Sequence, residues 1–199
     1  KSFGYQVLGF GAGKTINPFI VATGGTITTV DTNFKVHQFT GPGTFTVTCA
    51  GTPLGADKVD YLVIAAGAGG GLGNGGYAGG AGGAGGYRTS FPSPSCNAGT
   101  LSVTATAYPI TAGGGGAASP GPDTPGVDGG DSVFSTITSA GGGGGSPYNG
   151  VPAPNVGNNG GSGGGGGAGF SPTHAGGTGN TPPVSPPQGN NGGTGGHAS

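Results

Sequence analysis

The first stretch that could do chemistry is a glycine-rich run with a lysine near the N-terminus, Gly9-Phe10-Gly11-Ala12-Gly13-Lys14-Thr15. A phosphate-binding loop uses backbone amides and a lysine to hold nucleotide phosphates, and it needs a glycine five residues before its Gly-Lys pair. Leu8 occupies that position here, and Asn17-Pro18 disfavours the helix that must follow. We therefore predict no nucleotide-binding site and no cofactor.

Carboxylates and histidines are the other candidates for a site. Ca²⁺ takes carboxylate and carbonyl oxygens, and one Gly/Pro loop carries three carboxylates, Asp123, Asp128 and Asp131. We interpret this loop as a solvated turn and keep a calcium site as the alternative. No serine has the sequence context of a nucleophile, and zinc-ligand spacing is absent from the histidines, which are His37, His174 and His197. We predict that the chain is not an enzyme and holds no metal.

Two thiols are present, Cys49 and Cys96. An even number of cysteines in an extracellular chain suggests a disulfide bond. Cys49 stands at the end of a predicted strand, and Cys96 follows a proline-containing stretch in a predicted loop. We predict a disulfide between Cys49 and Cys96. The alternative is two unbridged cysteines that behave as small hydrophobic side chains.

The composition is far from that of an ordinary globular domain. The chain has 199 residues, of which 55 are Gly and 17 are Pro, and 6% are charged with a net charge of −1. Such a glycine bias is typical of fibrous or low-complexity chains, whereas disordered segments usually carry more charge. The weak charge gives no reason to expect nucleic acid as a partner, and no apolar stretch is long enough to span a membrane. Because the sequence begins with Lys1, we expect either a processed N-terminus or numbering that starts inside a longer product.

Glycine content divides the chain. The first 66 residues contain 10 glycines and the remaining 133 contain 45. β-branched and aromatic runs separated by turn residues predict short strands, with a buried central strand from Val59 to Ala66, and no segment has the 3.6-residue period of a long helix. We predict an all-β, sandwich-like domain with almost no helix. Its parts are an N-terminal extension over 1–15, a β-rich head over 16–66, a Gly-rich body with interspersed strands over 67–145, and a Gly/Pro/Asn-rich tail over 146–199.

Three predicted strands run directly into glycine, at Gly67, Gly113 and Gly141. Glycine also recurs at every third position in three stretches, which are 67–85, 157–169 and 189–195. A polyproline II-type helix has three residues per turn, so this register lines one edge with glycine and lets chains approach closely. The sequence predicts either packed polyglycine II-type segments or mobile Gly-rich loops between the strands.

The N-terminal extension has the pattern of an assembly strand. Phe3, Tyr5 and Val7 alternate along it, and a glycine-rich joint follows. A strand with apolar residues at alternate positions can complete the sheet of a neighbouring subunit, and repeating this head-to-tail contact produces a filament. The alternatives are that the extension pairs within its own sheet or connects to an upstream domain.

Five blocks between residues 21 and 145 carry a family resemblance: Ala22-Thr23-Gly24-Gly25-Thr26, Phe34-Lys35-Val36-His37-Gln38-Phe39-Thr40, Gly43-Thr44-Phe45-Thr46-Val47, the run from Val59 to Gly70, and the segment from Ser132 to Gly145. They resemble the glycine-rich domain found in many phage tail and fibre proteins and in some bacterial extracellular proteins. The resemblance implies a β-rich structural module on a particle surface, often near receptor contact, and brings no catalytic motif.

Together these observations predict a non-enzymatic structural subunit of an extracellular filament or appendage, which self-assembles partly by adding its N-terminal strand to a neighbouring subunit. The alternative is a phage tail-fibre or receptor-binding tip whose loops contact a host-surface glycan or protein. Stiff, amphipathic tyrosines are natural contact residues in that case, namely Tyr77, Tyr87, Tyr108 and Tyr148. The expected partners are copies of the chain itself, in a homo-oligomer or filament, and the expected location is extracellular or on a virion surface.

Overall fold

The fold is built from short strands and long extended segments. The computed structural model describes residues 19–52, 57–74, 77–91, 98–122, 124–148, 156–169 and 174–196. These residues contain no helix, which confirms the predicted all-β class, and so none that is long and apolar enough to cross a membrane. The strands are β1 Ile20–Thr23, β2 Thr26–Val30, β3 Phe34–Gln38, β4 Gly43–Ala50, β5 Lys58–Val59, β6 Leu62–Ile64, β7 Tyr87–Thr89, β8 Leu101–Ser102, β9 Ala107–Thr111, β10 Ser132–Phe134 and β11 Ile137–Ser139.

The main sheet has five strands in the order β1-β4-β9-β10-β11, and every neighbouring pair is antiparallel. Along β4, threonines alternate with Phe45 and Val47, a pattern that turns the two apolar side chains to one face of the strand. Phe45, Val47 and Val103 form a buried core cluster, and Tyr108 and Phe134 pack against it. Tyr61, Val63 and Ile137 form a second buried cluster, and Phe134 packs against both clusters.

The apolar run from Val59 to Ala66 differs from its prediction. It contains the end of β5 and all of β6, and each of these strands pairs in its own two-stranded sheet. Tyr61 and Val63 are buried, whereas Leu62 and Ile64 are 51% and 57% exposed. The predicted buried central strand is therefore wrong, because β6 covers a core cluster with one face only and leaves the other face in solvent.

The β2–β3 hairpin stands apart from the main sheet. Its two strands pair only with each other among the described strands, and every residue of β2 is exposed. His37 holds its base, with Nδ1 2.8 Å from the Gly24 carbonyl oxygen and the ring edge-on to Phe45 at 5.0 Å between centroids. Val30 pairs directly with Phe34, which is 66% exposed. The hairpin therefore presents apolar side chains to solvent.

The glycine-rich part forms a bundle of extended segments that hydrogen-bond to one another at every third residue. In the first pair, the amides of Ala65, Ala68 and Gly71 donate to the carbonyl oxygens of Gly86, Gly83 and Gly80 over 2.8–3.0 Å. A three-residue repeat in hydrogen bonding is the period of a polyproline II-type helix. We number the nine segments of the described residues I to IX in chain order: 65–72, 78–86, 112–119, 126–131, 140–148, 156–161, 162–169, 174–180 and 188–196.

Segment II shows how the three-residue period distributes side chains. Its sequence repeats Ala-Gly-Gly, and the three alanines, Ala78, Ala81 and Ala84, are all exposed. A Cβ at Gly79, Gly82 or Gly85 would collide with the backbone of segment I, and one at Gly80 or Gly83 would collide with segment VII. Two of the three registers of this segment therefore need glycine. The predicted edge of glycines is also present in segment IX, where Gly192 and Gly195 face the backbone of segment VII and Gly189 faces that of Gly161 at the end of segment VI. At Gly67 and Gly70, by contrast, a Cβ would make only ordinary contacts.

Segment V is the centre of the bundle. Residues 139–147 are all buried, and from Ala140 to Ser146 every amide donates a hydrogen bond and every carbonyl oxygen accepts one. The backbone partners come from segments I, II, IV, VI and VII. One ordered residue costs about 1–2 kcal/mol of backbone entropy and one hydrogen bond returns about 1 kcal/mol. Close packing of the backbones must therefore add to the hydrogen bonds for this glycine core to be stable.

The direction of the segments alternates without exception. Segments I and V are parallel, and so are segments V and VII, while segments I and II, IV and V, and VIII and IX are antiparallel. Odd-numbered segments therefore run away from the sheets, and even-numbered segments run back to them. We call the far end of the bundle the tip.

Candidate functional site

The tip collects the connections between segments. The chain reaches it after Leu72, Ser119, Tyr148 and Gly169, and segment IX also ends there. The connections are 73–77, 120–125, 149–155 and 170–173, of which only part lies within the described residues. Connections carried by a rigid scaffold are a common place for binding residues. The tip is therefore the candidate functional site.

Two tyrosines and an asparagine form the best-defined group of side chains at the tip. Asn74 and Tyr77 exchange two backbone hydrogen bonds of 3.0 Å, which close the turn between segments I and II. The ring of Tyr148 lies nearly parallel to that of Tyr77, with 6.3 Å between centroids and an interplanar angle of 11°. Asn74 Nδ2 donates to the Tyr148 hydroxyl over 3.2 Å, and the Tyr148 amide donates to the Leu72 carbonyl oxygen over 3.0 Å. These backbone hydrogen bonds fix the positions of Tyr77 and Tyr148 relative to segment I.

A buried histidine lies beneath this end of the bundle. His174 begins segment VIII, is 1% exposed, and its carbonyl oxygen accepts a hydrogen bond from the Gly195 amide. Neither ring nitrogen has a hydrogen-bond partner within the described part of the chain. A Cβ at Gly169 would meet both the Tyr148 carbonyl oxygen and the His174 ring. The His174 ring therefore packs against the end of segment VII at Gly169. A larger residue than glycine at position 169 would collide with this ring and with the Tyr148 backbone.

The tip carries very little charge. No Asp, Glu, Lys or Arg follows Asp131 in the sequence, so segments V to IX contain none of these residues. The one charged residue in the tip connections, Asp123, lies outside the described residues. No group of three or more potential metal ligands occurs among the residues that are described. Uncharged polar side chains and backbone groups are thus the chemistry that the described part of the tip offers for binding.

The two described carboxylates of the acidic loop support segment V. Asp131 Oδ1 accepts a hydrogen bond from the Gly141 amide over 2.8 Å, and Asp128 Oδ1 accepts one from the Gly144 amide over 2.7 Å. Asn158 Nδ2 also donates to Asp128 Oδ1, over 2.8 Å. The two carboxylates, three residues apart, thus serve as acceptors for the Gly141 and Gly144 amides, which have no backbone acceptor. The Ala140 amide likewise donates to a side chain, that of Gln188. The interpretation as a simple solvated turn missed this role.

We expect the substitution Asp128→Ala to lower the free energy of unfolding by about 1–2 kcal/mol, because it leaves the buried Gly144 amide without its acceptor. Asp128→Asn keeps an oxygen acceptor and removes only the charge, so it should retain most of the stability. Urea denaturation of the two variants and the wild type measures the difference. Equal stability of Asp128→Ala and the wild type would show that solvent satisfies the amide.

The structure separates the four predicted contact tyrosines. Tyr77 and Tyr148 lie together at the tip, whereas Tyr87 lies on β7 and Tyr108 on β9, at the sheet end. The Tyr108 hydroxyl accepts a hydrogen bond from the Thr104 amide over 2.8 Å, and its ring packs on the core cluster. Only the first two are therefore placed for a common binding site.

Several predicted sites lie outside the described residues. The glycine-lysine run 9–15 and the assembly residues Phe3, Tyr5 and Val7 belong to residues 1–18, which are not described. Cys49 lies on β4, but Cys96 is not among the described residues. The predicted disulfide and the predicted assembly strand therefore stay predictions.

A known protein family matches most of the chain. A family model described as a glycine-rich domain matches residues 39–199. The chain belongs to this glycine-rich domain family. The resemblance to a glycine-rich domain is thus confirmed, but the match begins after β3 and includes the tail over 146–199, whereas the resemblance spanned residues 21–145. No curated protein and no solved structure matches the chain.

The glycine-rich domain contains structural residues that sequence reasoning did not single out. Gln188 is 3% exposed, its Oε1 accepts a hydrogen bond from the Ala140 amide over 2.8 Å, and its Nε2 donates to the Pro182 carbonyl oxygen over 3.0 Å. Asn180 Oδ1 accepts from the amides of Val184 and Gln188. Amide side chains in a Gly/Pro/Asn-rich tail carry no distinctive pattern, so only the fold reveals these bonds.

Proposed function

We propose that the chain is a non-enzymatic structural module of an extracellular particle or appendage, in which the glycine bundle carries a binding tip. The observation that supports it best is the strict alternation of the nine segments, by which the chain reaches the end of the bundle away from the sheets after Leu72, Ser119, Tyr148 and Gly169. Connections on a rigid scaffold often carry binding residues and tolerate variation in sequence.

The contrast between the two ends of the molecule also supports the proposal. Residues 19–38, which precede the matched family domain, form β1 to β3 at the sheet end. The paired rings of Tyr77 and Tyr148 lie at the opposite end. An attachment end and a presenting end are what a module mounted on a particle requires. A virion or an extracellular appendage is the proposed location.

The proposal is tested by cell binding. Fluorescently labelled protein is incubated with a panel of bacterial strains, together with the double variant Tyr77→Ala/Tyr148→Ala and the matched control Tyr87→Ala, which changes an exposed tyrosine at the sheet end. We expect the wild type and Tyr87→Ala to bind the same strains, and the tip variant to lose binding while remaining folded. Equal binding by the wild type and the tip variant would contradict a binding role for the tip.

A filament-forming subunit is the second candidate function, favoured by the exposed strands at the sheet end. β1 is an edge strand of the main sheet and directly follows residues 1–18. An isolated two-stranded hairpin such as β2–β3 is marginal in water unless something packs on it, and its Val36 and Phe34 are exposed. A neighbouring subunit that adds Phe3, Tyr5 and Val7 as a strand would use such an edge.

Negative-stain microscopy separates the two candidates. A filament-forming subunit polymerises, and removal of residues 1–12 should convert it to a folded monomer. Discrete particles for both proteins would rule out strand addition by the N-terminal segment, whereas filaments of the truncated protein would show that another surface drives assembly.

A further inference from the structure

We propose that the aromatic pair at the tip binds a neutral carbohydrate, with Tyr77 and Tyr148 as the apolar contact surface and Asn74 as the hydrogen-bonding group. This inference rests on the proposed function and names the class of ligand that the tip would take.

The charge of the tip favours an uncharged ligand. Binding of nucleic acid, phosphate or acidic polymers relies on clustered lysine and arginine, and the last residue of either type is Arg88 on β7, at the sheet end. Binding of a cation would need several acidic oxygens, and only Asp123 supplies a carboxylate to the tip connections. These residues therefore favour a neutral ligand over a charged one.

The geometry of the side chains favours a ligand with both apolar faces and hydroxyl groups. Each of the two tyrosines is half-buried and keeps part of its surface in solvent, and their rings are nearly parallel. Tyrosine offers an apolar ring and a hydroxyl that donates and accepts hydrogen bonds. The exposed Asn74 amide adds a donor and an acceptor. A sugar ring matches this set, since it presents C–H groups on one face and hydroxyls at its edge.

The described part of the tip has few exposed apolar side chains besides the two tyrosines. Protein interfaces need a contiguous apolar centre, usually with aromatic or arginine anchors, surrounded by a polar rim. Among the described residues of the tip, Leu72 and Val127 are the large apolar side chains that are substantially exposed. The ordering of the rings before binding also reduces the entropic cost that a weakly held ligand such as a sugar must overcome. A few exposed apolar groups and pre-ordered aromatic rings suit a small ligand such as a sugar.

The experiment uses an array of immobilised neutral and charged oligosaccharides. The proteins are the full chain, the single variants Tyr77→Ala, Tyr148→Ala and Asn74→Ala, and the control Tyr87→Ala. We expect the wild type and the control to bind a subset of neutral glycans equally, and each tyrosine variant to bind the same glycans about tenfold more weakly. Circular dichroism and a thermal melt establish that each variant is folded.

Cell binding separates failure of the inference from failure of the proposed function. We expect periodate, which cleaves the vicinal diols of sugars, to abolish binding of wild-type protein to cells, and protease treatment of the cells to leave it intact. Binding that needs Tyr77 and Tyr148 but survives periodate would overturn the carbohydrate assignment and leave the binding tip standing. Binding that is independent of both tyrosines would overturn both proposals. Binding to charged glycans alone would also overturn the inference.

Discussion

The substitution Gly144→Ala should lower the free energy of unfolding by about 3 kcal/mol or more, a large part of the 5–15 kcal/mol typical of a domain. Gly144 lies in segment V, and a Cβ there would be 2.6 Å from the carbonyl carbon of Gly126 and even closer to its oxygen. The obstacle is backbone, so no side chain can rotate away. Segment IV or V would have to move, and their mutual hydrogen bonds would break with them.

Gly114→Ala is the matched control for Gly144→Ala. Gly114 lies in segment III, is exposed, and a Cβ there meets nothing within 4 Å. Alanine at such a position reduces the entropy of the unfolded chain, so stability should stay unchanged or rise by about 0.5 kcal/mol. Urea denaturation followed by circular dichroism compares the three proteins. A similar loss of stability in both variants would contradict close packing at Gly144 as the reason that glycine is required there.

The substitution Phe45→Ala should cost about 3–5 kcal/mol, the usual effect of deleting a large buried aromatic side chain. Phe45 is 7% exposed and lies at the centre of the aromatic contacts, 5.0 Å from His37, 5.8 Å from Phe134 and 6.4 Å from Tyr108 between ring centroids. Its loss leaves a cavity, and the hydrogen-bonded strands around it cannot easily move together to fill it. Phe34→Ala, at the 66% exposed position of the hairpin, should cost less than about 0.5 kcal/mol.

The same variant also tests whether sheets and bundle unfold together. β6, β9 and β11 continue without a break into segments I, III and V. We therefore expect Phe45→Ala to shift one cooperative transition, monitored both by near-ultraviolet tyrosine signals and by the far-ultraviolet spectrum of the backbone. Two separate transitions would show that the bundle persists after the main sheet has unfolded.

The strands and the extended segments were within reach of sequence reasoning because each has a local signature. The β-branched run from Thr26 to Val30 forms β2 as predicted, and Thr44 to Cys49 lies within β4. The every-third glycine register of 189–195 corresponds to a real packed edge. The Ala-Gly-Gly repeat of segment II was visible in the sequence too, but it has meaning only once the neighbours of each register are known.

The centre of the bundle and the tip could not be predicted in the same way. A run such as 141–145 consists of five glycines, and nothing in its sequence distinguishes a fully buried centre from an exposed linker. Its burial follows from hydrogen bonds to five other segments, and the bonded residues lie between 13 and 76 residues away in the chain. The pairing of Tyr77 with Tyr148 depends on the same long-range contacts, so the candidate site emerges only with the fold.

Buried, fully hydrogen-bonded glycine segments form the centre of the bundle, and amide hydrogen exchange of glycine-labelled protein tests this most directly. We predict that the amides of Gly142, Gly143 and Gly145, which donate to segments I and VII, exchange only through global unfolding. The amides of Gly114 and Gly193, which have no acceptor among the described residues, should exchange rapidly. Rapid exchange at all five positions would contradict a buried glycine core and show that the glycine runs are mobile loops.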